Sequence, residues 1–156
     1  LYSVTVFRVS SDEAVGLGCL DGRIGDNGIE DVDAFSWVER INLLGTYAGE
    51  RNVGVGSEGL PEAKEDAWTI FWDKKPLVLK QELEVIVQNE DGSTENRVLP
   101  AGTELIPQET DKETYLDAET SDGTRCRIEV ETEDGYTYMI HGVDEHAYFA
   151  DLPYAG

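Results

Sequence analysis

The chain has 156 residues, 40% hydrophobic and 29% charged, with 33 acidic residues against 12 basic ones and a formal net charge of −21. This is the composition of a globular chain, one domain or two small modules, and not of a disordered tail. A field of that sign repels phosphate backbones and anionic lipid, so it argues against nucleic acid and bare membrane as partners and favours cations and basic partners.

No apolar run approaches the ~20 residues of a spanning helix, so no membrane insertion by this chain is expected. The chain begins at Leu1 rather than Met and reads as a processed product or an excised piece of a longer protein. Cys19 and Cys126 make neither a disulfide framework nor a CxxC zinc pattern. A single bridge between them and two buried thiols are both open readings.

In chain order, VTVFRV (4–9) alternates and is rich in β-branched and aromatic residues, which predicts a strand. A second strand is predicted over 14–20, ending at the turn Asp21-Gly22. Residues 21–33 carry three glycines and five acids in thirteen positions and read as a loop. Asp33 then caps an expected short helix over 34–44, in which Phe35, Val38, Ile41 and Leu44 share a face and Gly45 is the stop. GVGSEG (54–59) has the form GxGxxG, but Leu60-Pro61 follows at once where a phosphate-binding loop needs a helix, so it reads as a plain loop. One helical turn is expected at PEAKEDA (61–67).

AWTIFWD (67–73) returns to strand character, with Trp68, Ile70 and Trp72 on one face. Leu83, Val85 and Val87 alternate with Glu82, Glu84 and Ile86, and the turn 89–92 leads into a strand around 97–99. Residues 114–120 and 124–131 pair across Ser121-Asp122-Gly123. A strand follows at 136–140, then one or two helical turns capped by Asp144 and stopped by Pro153. Four Asp-Gly turns between short alternating strands predict an antiparallel, mostly-β architecture. A faint echo links Ile29–Asp33 and Tyr47-Ala48-Gly49 to Ile140–Asp144 and Tyr154-Ala155-Gly156, as two related β-modules or as chance.

Catalytic patterns are sparse. Ser-His-Asp or Cys-His chemistry needs a base beside a nucleophile, and His141 and His146 are the only histidines. Cys126 sits between Arg125 and Arg127, but on a strand those neighbours point to the opposite face, so it reads as a core cysteine. Any chosen pair of carboxylates is uninformative in so acidic a chain. Asp21, Asp26, Asn27, Glu30, Asp31 and Asp33 are hard oxygen ligands suited to calcium, without EF-hand spacing. His141 and His146 lack the compact geometry and third ligand of zinc. No catalytic set, metal or cofactor is expected. The aromatics outnumber what one small core must hold, and Trp68, Trp72, Tyr115, Tyr136 and Tyr138 are the expected ligand-binding set.

LPAGTELIP (99–107), TYLDAETSDGTRCRIEVE (114–131) and the terminal helical turn around 145–149 together resemble a bacterial SH3-like domain. The likeness covers roughly 83–156 and lacks the family's usual Gly-Trp after the hairpin, where Arg125-Cys126-Arg127 stands. The overall look is similar to exported or lipid-anchored surface proteins of Gram-positive gut bacteria. The resemblance implies a domain that binds cell wall or protein without catalysis.

The expectation is therefore mostly β: a β-rich N-terminal module over 1–76 with a short helix near 34–44, and an antiparallel SH3-like barrel over 77–156. The expected function is a non-catalytic binding or interaction module of an exported bacterial protein, extracellular or cell-surface anchored, taking a cell-wall polymer or a protein or peptide partner. A carbohydrate- or calcium-binding β-domain is the alternative, and a carboxylate-dependent hydrolase a further one.

Overall fold

The computed structural model describes residues 2–72 and 74–155. The chain is mostly β and antiparallel, with one short helix. Strands β1 (Ser3–Val9) and β2 (Ala14–Asp21) form a two-stranded ribbon. The first half continues with β3 (Arg23–Ile24), β4 (Phe35–Asn42), β5 (Thr46–Val55), β6 (Pro61–Ala63) and β7 (Trp68–Trp72). The second half supplies β8 (Leu77–Val78), β9 (Leu83–Gln88), β10 (Thr94–Leu99), β11 (Glu104–Thr110), β12 (Tyr115–Thr120) and β13 (Arg125–Glu129). A small hairpin, β14 (Met139–Ile140) and β15 (Val143–Asp144), leads into helix α1 (Glu145–Tyr148).

Strands β3 to β13 make one sheet in the order β10-β9-β13-β12-β11-β7-β5-β4-β3, with β6 beside β5 and β8 beside β11. The sheet crosses the boundary at 76/77, because β7 pairs with β5 on one side and with β11 on the other. Within 77–156 the path β10-β9-β13-β12-β11 ends at β10 and β11, which do not pair with each other, so the barrel expected there is not closed among the described residues. The core is likewise continuous: Ile41, Trp68 and Ile70 belong to the same buried cluster as Leu105, Leu116 and Ile128.

The helix expected over 34–44 is strand β4. Phe35, Trp37 and Ile41 fit the two-residue period of a strand as well as Phe35, Val38 and Ile41 fit a helix, and all four residues are buried. The tie is broken by the partner. Leu44 and Gly45 take positive φ values, 52° and 138°, and reverse the chain so that β4 lies along β5 from Phe35↔Val53 to Asn42↔Thr46. Gly45 is thus part of a hairpin turn rather than a helix stop. The turn expected at PEAKEDA is edge strand β6, with Pro61 in the first position, where its missing N–H is tolerated.

Other expectations hold. Gly22, Gly92, Gly123 and Gly135, the second residues of the Asp-Gly pairs, all take positive φ. Leu83, Val85 and Val87 face the core. Asp144 caps α1, its side chain accepting from the backbone N–H of His146 at 2.8 Å. The echo between the halves does not extend to topology: β13 returns to pair with β9 in the second half, and β3-β4-β5 is a simple meander.

Among the described residues the buried polar side chains Thr110, Asp117, Thr120 and Glu145 each have a hydrogen-bond partner, while the buried Nε of Arg51 has none. Asp117 is 3% exposed on β12 and receives a bidentate grip from Arg127 on β13, Nε to Oδ1 and a terminal nitrogen to Oδ2, both at 2.7 Å. The same guanidinium lies 3.6 Å from the Tyr115 ring centroid. Removing one member of such a pair strands the other in a poorly solvated site. Asp117→Ala is expected to cost about 2–3 kcal/mol, lowering Tm by about 6–10 °C in a chain of this size. Thermal melts check it, and adding Arg127→Met to that variant should cause little further loss.

Candidate functional site

Strict alternation puts Trp68, Ile70 and Trp72 on one face of β7, but the structure separates them. Trp68 and Ile70 are 2% and 0% exposed, and Trp72 is 70% exposed. The cause is a bulge. Gly49 pairs with Ile70, yet its neighbour Ala48 pairs with Trp72, so Phe71 is an extra residue in the ladder. One inserted residue shifts the side-chain alternation beyond it. Trp72 is lifted out of the core and, with Phe71, lines a cleft of about 540 Å³.

The cleft is built on β4, β5 and β7, closed by the start of β1 and the end of β2. Register sets its centre: Arg40 pairs with Ala48, and Ala48 with Trp72, so the three stand side by side across three strands. Ala48 contributes only a methyl group between the two large side chains. Arg40 is held by two hydrogen bonds, Nε to Asn42 Oδ1 at 3.3 Å and a terminal nitrogen to the Ala155 carbonyl at 2.8 Å.

At the far wall Glu39 has both oxygens engaged. Oε1 accepts from Trp37 Nε1 at 3.1 Å, and Oε2 is ion-paired with Lys112. Lys112 reaches Glu39 from the loop after β11 and lies 4.9 Å from the Trp68 ring centroid. Arg51 covers the same ring at 4.2 Å. Trp68 is therefore a buried indole under two cations, a packing element beneath the cleft and not a contact surface.

The expected ligand-binding aromatics do not come together. Trp72 alone of the five lines this cleft. Tyr115 is half-buried under Arg127. Tyr136 is 85% exposed beside the Asp134-Gly135 turn. Tyr138 is a core residue whose hydroxyl donates to the Asn42 carbonyl at 2.8 Å. Sequence reasoning missed Phe71, Arg40, Asn42 and Lys112. Arg40 and Asn42 lay inside the segment read as a helix, and a bulge leaves no mark in the residue pattern.

The other chemical candidates are dispersed. Among the described residues no three His, Cys, Asp or Glu side chains converge as metal ligands. In the 21–33 loop Asp26 pairs with Arg23 at 2.7 Å, and Asp31 accepts from the Asp33 backbone. His141 Nε2 lies 3.0 Å from the Glu84 carbonyl, and His146 Nδ1 3.0 Å from Asp144. Glu145 is 1% exposed, its carboxyl raised by burial, and Tyr154 donates to it, 3.0 Å from each oxygen, away from the cleft. No protein-family model, curated protein or solved structure matches this chain.

The cysteines are not bridged: Cys19 is exposed on the ribbon and Cys126 is buried. Burial, with the nearby Asp117 charge adding to it, pushes the Cys126 thiol up to about 11. Thiolate is the reactive form, so Cys126 is inert at neutral pH in the folded chain. Titration with a chromogenic disulfide at pH 8 should label one thiol per native chain promptly and the second only after denaturation; two fast thiols would contradict this placement.

Proposed function

We propose that this protein is a non-catalytic binding module of an exported bacterial protein, acting at the cell surface, and that the Trp72 cleft receives its ligand, a cell-wall polymer or a segment of a protein partner. The observation that carries this reading is the bulge, which exposes an indole that plain alternation would have buried with Trp68 and Ile70. Exposed apolar area of this kind on a soluble β-protein marks a contact surface. Tryptophan and arginine side by side are the residue types that dominate binding energy when covered.

Support for the SH3-like reading of the second half is the order of its parts: the step Pro100-Ala101-Gly102-Thr103 before β11, the hairpin of β12 and β13 tipped by Asp122-Gly123, and the one-turn helix α1 after them, as the resemblance implies. Glu39, the half-buried acid of the cleft, is occupied by Lys112 and Trp37, which favours binding over acid–base work.

The test is a pull-down on purified bacterial cell wall with Trp72→Ala beside the parent protein. Loss of a covered indole at a binding centre should weaken retention by at least about tenfold. Because Trp72 is 70% exposed, Tm should shift by no more than about 2 °C. Retention unchanged by the substitution would remove the cleft from the account.

A further inference from the structure

We infer that strand β1 is a dimerisation edge: it pairs antiparallel with β1 of a second copy of this chain, about a two-fold axis at Val6, and turns the β1-β2 ribbon into a four-stranded sheet. A two-stranded ribbon is marginal by itself. This one rests on the body through Val4 and Leu20, which pack against the core, and through Arg8, whose guanidinium donates to the Glu58 carbonyl at 3.0 Å.

The backbone shows which edge is open. Gly22 N–H donates to the Tyr2 carbonyl at 2.9 Å and Ser10 N–H to the Glu13 carbonyl at 2.8 Å, one bond beyond each end of the β1-β2 ladder. Inter-strand bonds alternate along an antiparallel pair, so Tyr2, Val4, Val6, Arg8 and Ser10 turn their N–H and C=O groups toward β2. Ser3, Thr5, Phe7 and Val9 turn theirs the other way. The alternation runs from Tyr2 to Ser10 without a break, so β1 is regular and the irregularity of the ladder lies in β2, where Leu17 is the extra residue between Val6↔Gly18 and Phe7↔Gly16. Among the described residues β1 has no strand partner besides β2, and Phe7 and Val9 are 57% and 74% exposed.

Exposed edges are ordinarily blunted by charge, proline, a bulge or brevity. The main sheet follows that rule at β10, which carries the ion-paired Glu95 and Arg97, at β6, which opens on Pro61, and at β3, which has two residues. Strand β1 has seven residues, no proline and no bulge of its own. The outer edge of β2 is different. Its bulge at Leu17 interrupts the row, and the Asp21 carbonyl is taken by Trp37 Nε1 at 3.3 Å. The ribbon thus has one regular edge, so pairing closes at two copies instead of running on.

Charge decides the occupant. The chain carries a net −21, and two copies repel wherever their acids meet. Residues 3–9 and 14–20 hold one charged side chain, Arg8, in a chain that is 29% charged. Phe7 and Gly16 share the outer face of the ribbon, where a Cβ on the glycine would lie 3.6 Å from the ring. Acids stand only at the ribbon's ends, Asp21 beside Ser3 and Asp12-Glu13 in the turn. A basic strand would find no charge to meet along this row, whereas an identical uncharged row complements it. Two-fold symmetry sets the register, with Ser3 opposite Val9 and Thr5 opposite Phe7 of the second copy. Four such pairs with two bonds each make about eight backbone hydrogen bonds.

The experiment is analytical sedimentation of the whole chain from about 1 to 300 µM, in 0.05 M and in 0.5 M NaCl. A monomer–dimer equilibrium is expected, tightening at least about threefold in the higher salt as the acids at the ribbon ends and elsewhere are screened. Thr5→Pro removes an outward N–H from the middle of the row and should weaken the dimer at least about tenfold, with circular dichroism checking the fold. Phe7→Glu, at a side chain already exposed, should do the same without touching the backbone, and keeps the test decisive where the proline distorts the ribbon. A nitroxide on Cys19, the exposed thiol, reads the geometry. Three strand spacings separate the two labelled positions, so the spins should lie roughly 15–30 Å apart. A chain that stays monomeric throughout would overturn the assignment and leave the edge to a strand of another protein. So would a dimer indifferent to both variants, one that loosens as salt rises, association that continues beyond two copies, or no dipolar coupling in that distance range.

Discussion

Strand β7 has to satisfy two partners whose demands differ. Thr69 pairs with Glu109 on β11 and with Glu50 on β5, so its first residues are locked into the centre of the sheet. Trp68 and Ile70 fill the core that both halves share. Pairing with β11 is confined to Trp68 and Thr69, while β5 runs on to Ala48. Strand β7 therefore has no partner on its β11 side where Phe71 enters the ladder, and it can bulge without breaking a second set of hydrogen bonds. The cleft, its exposed indole and its arginine follow from that one irregularity.

The acidity of the chain is handled at the turns. Asp122 is held below its ordinary range by hydrogen bonds from Thr120 and Thr124, and Asp134 by the backbone N–H groups of Thr137 and Tyr136. Asp91 does the same through Ser93. In each Asp-Gly turn of the second half, the aspartate thus accepts from the chain just after the glycine, and the glycine supplies the positive φ. Carboxylates lowered in this way favour the fold above their unfolded pKa, and that contribution is lost as pH falls through the folded value. Among the described residues Asp117 is the buried acid on a strand of the sheet, and it is there with Arg127 around it.

The turns were legible in the sequence because Asp-Gly has a backbone meaning that survives any tertiary context. The alternating strands β1, β2, β9, β12 and β13 were legible for a similar reason, since their hydrophobic period admits one reading. Residues 34–44 were not, because Phe35, Trp37, Val38 and Ile41 satisfy two periods at once and only the pairing of β4 with β5 decides between them. The site was harder still. Trp72 was visible as an aromatic on a strand, but Tyr115, Tyr136 and Tyr138 were grouped with it by residue type, and the fold sends them to a cation stack, a turn and the core. Arg40 and Trp72 are 32 positions apart, and what joins them is a register across three strands.

The bulge is tested most directly by cross-strand nuclear Overhauser contacts between backbone protons of β5 and β7. The structure predicts Gly49 opposite Ile70 and Ala48 opposite Trp72, with Phe71 lacking a partner on β5. A regular ladder, with Ala48 opposite Phe71 and Tyr47 opposite Trp72, would return the Trp72 indole to the face of Trp68 and Ile70 and contradict the account of the cleft.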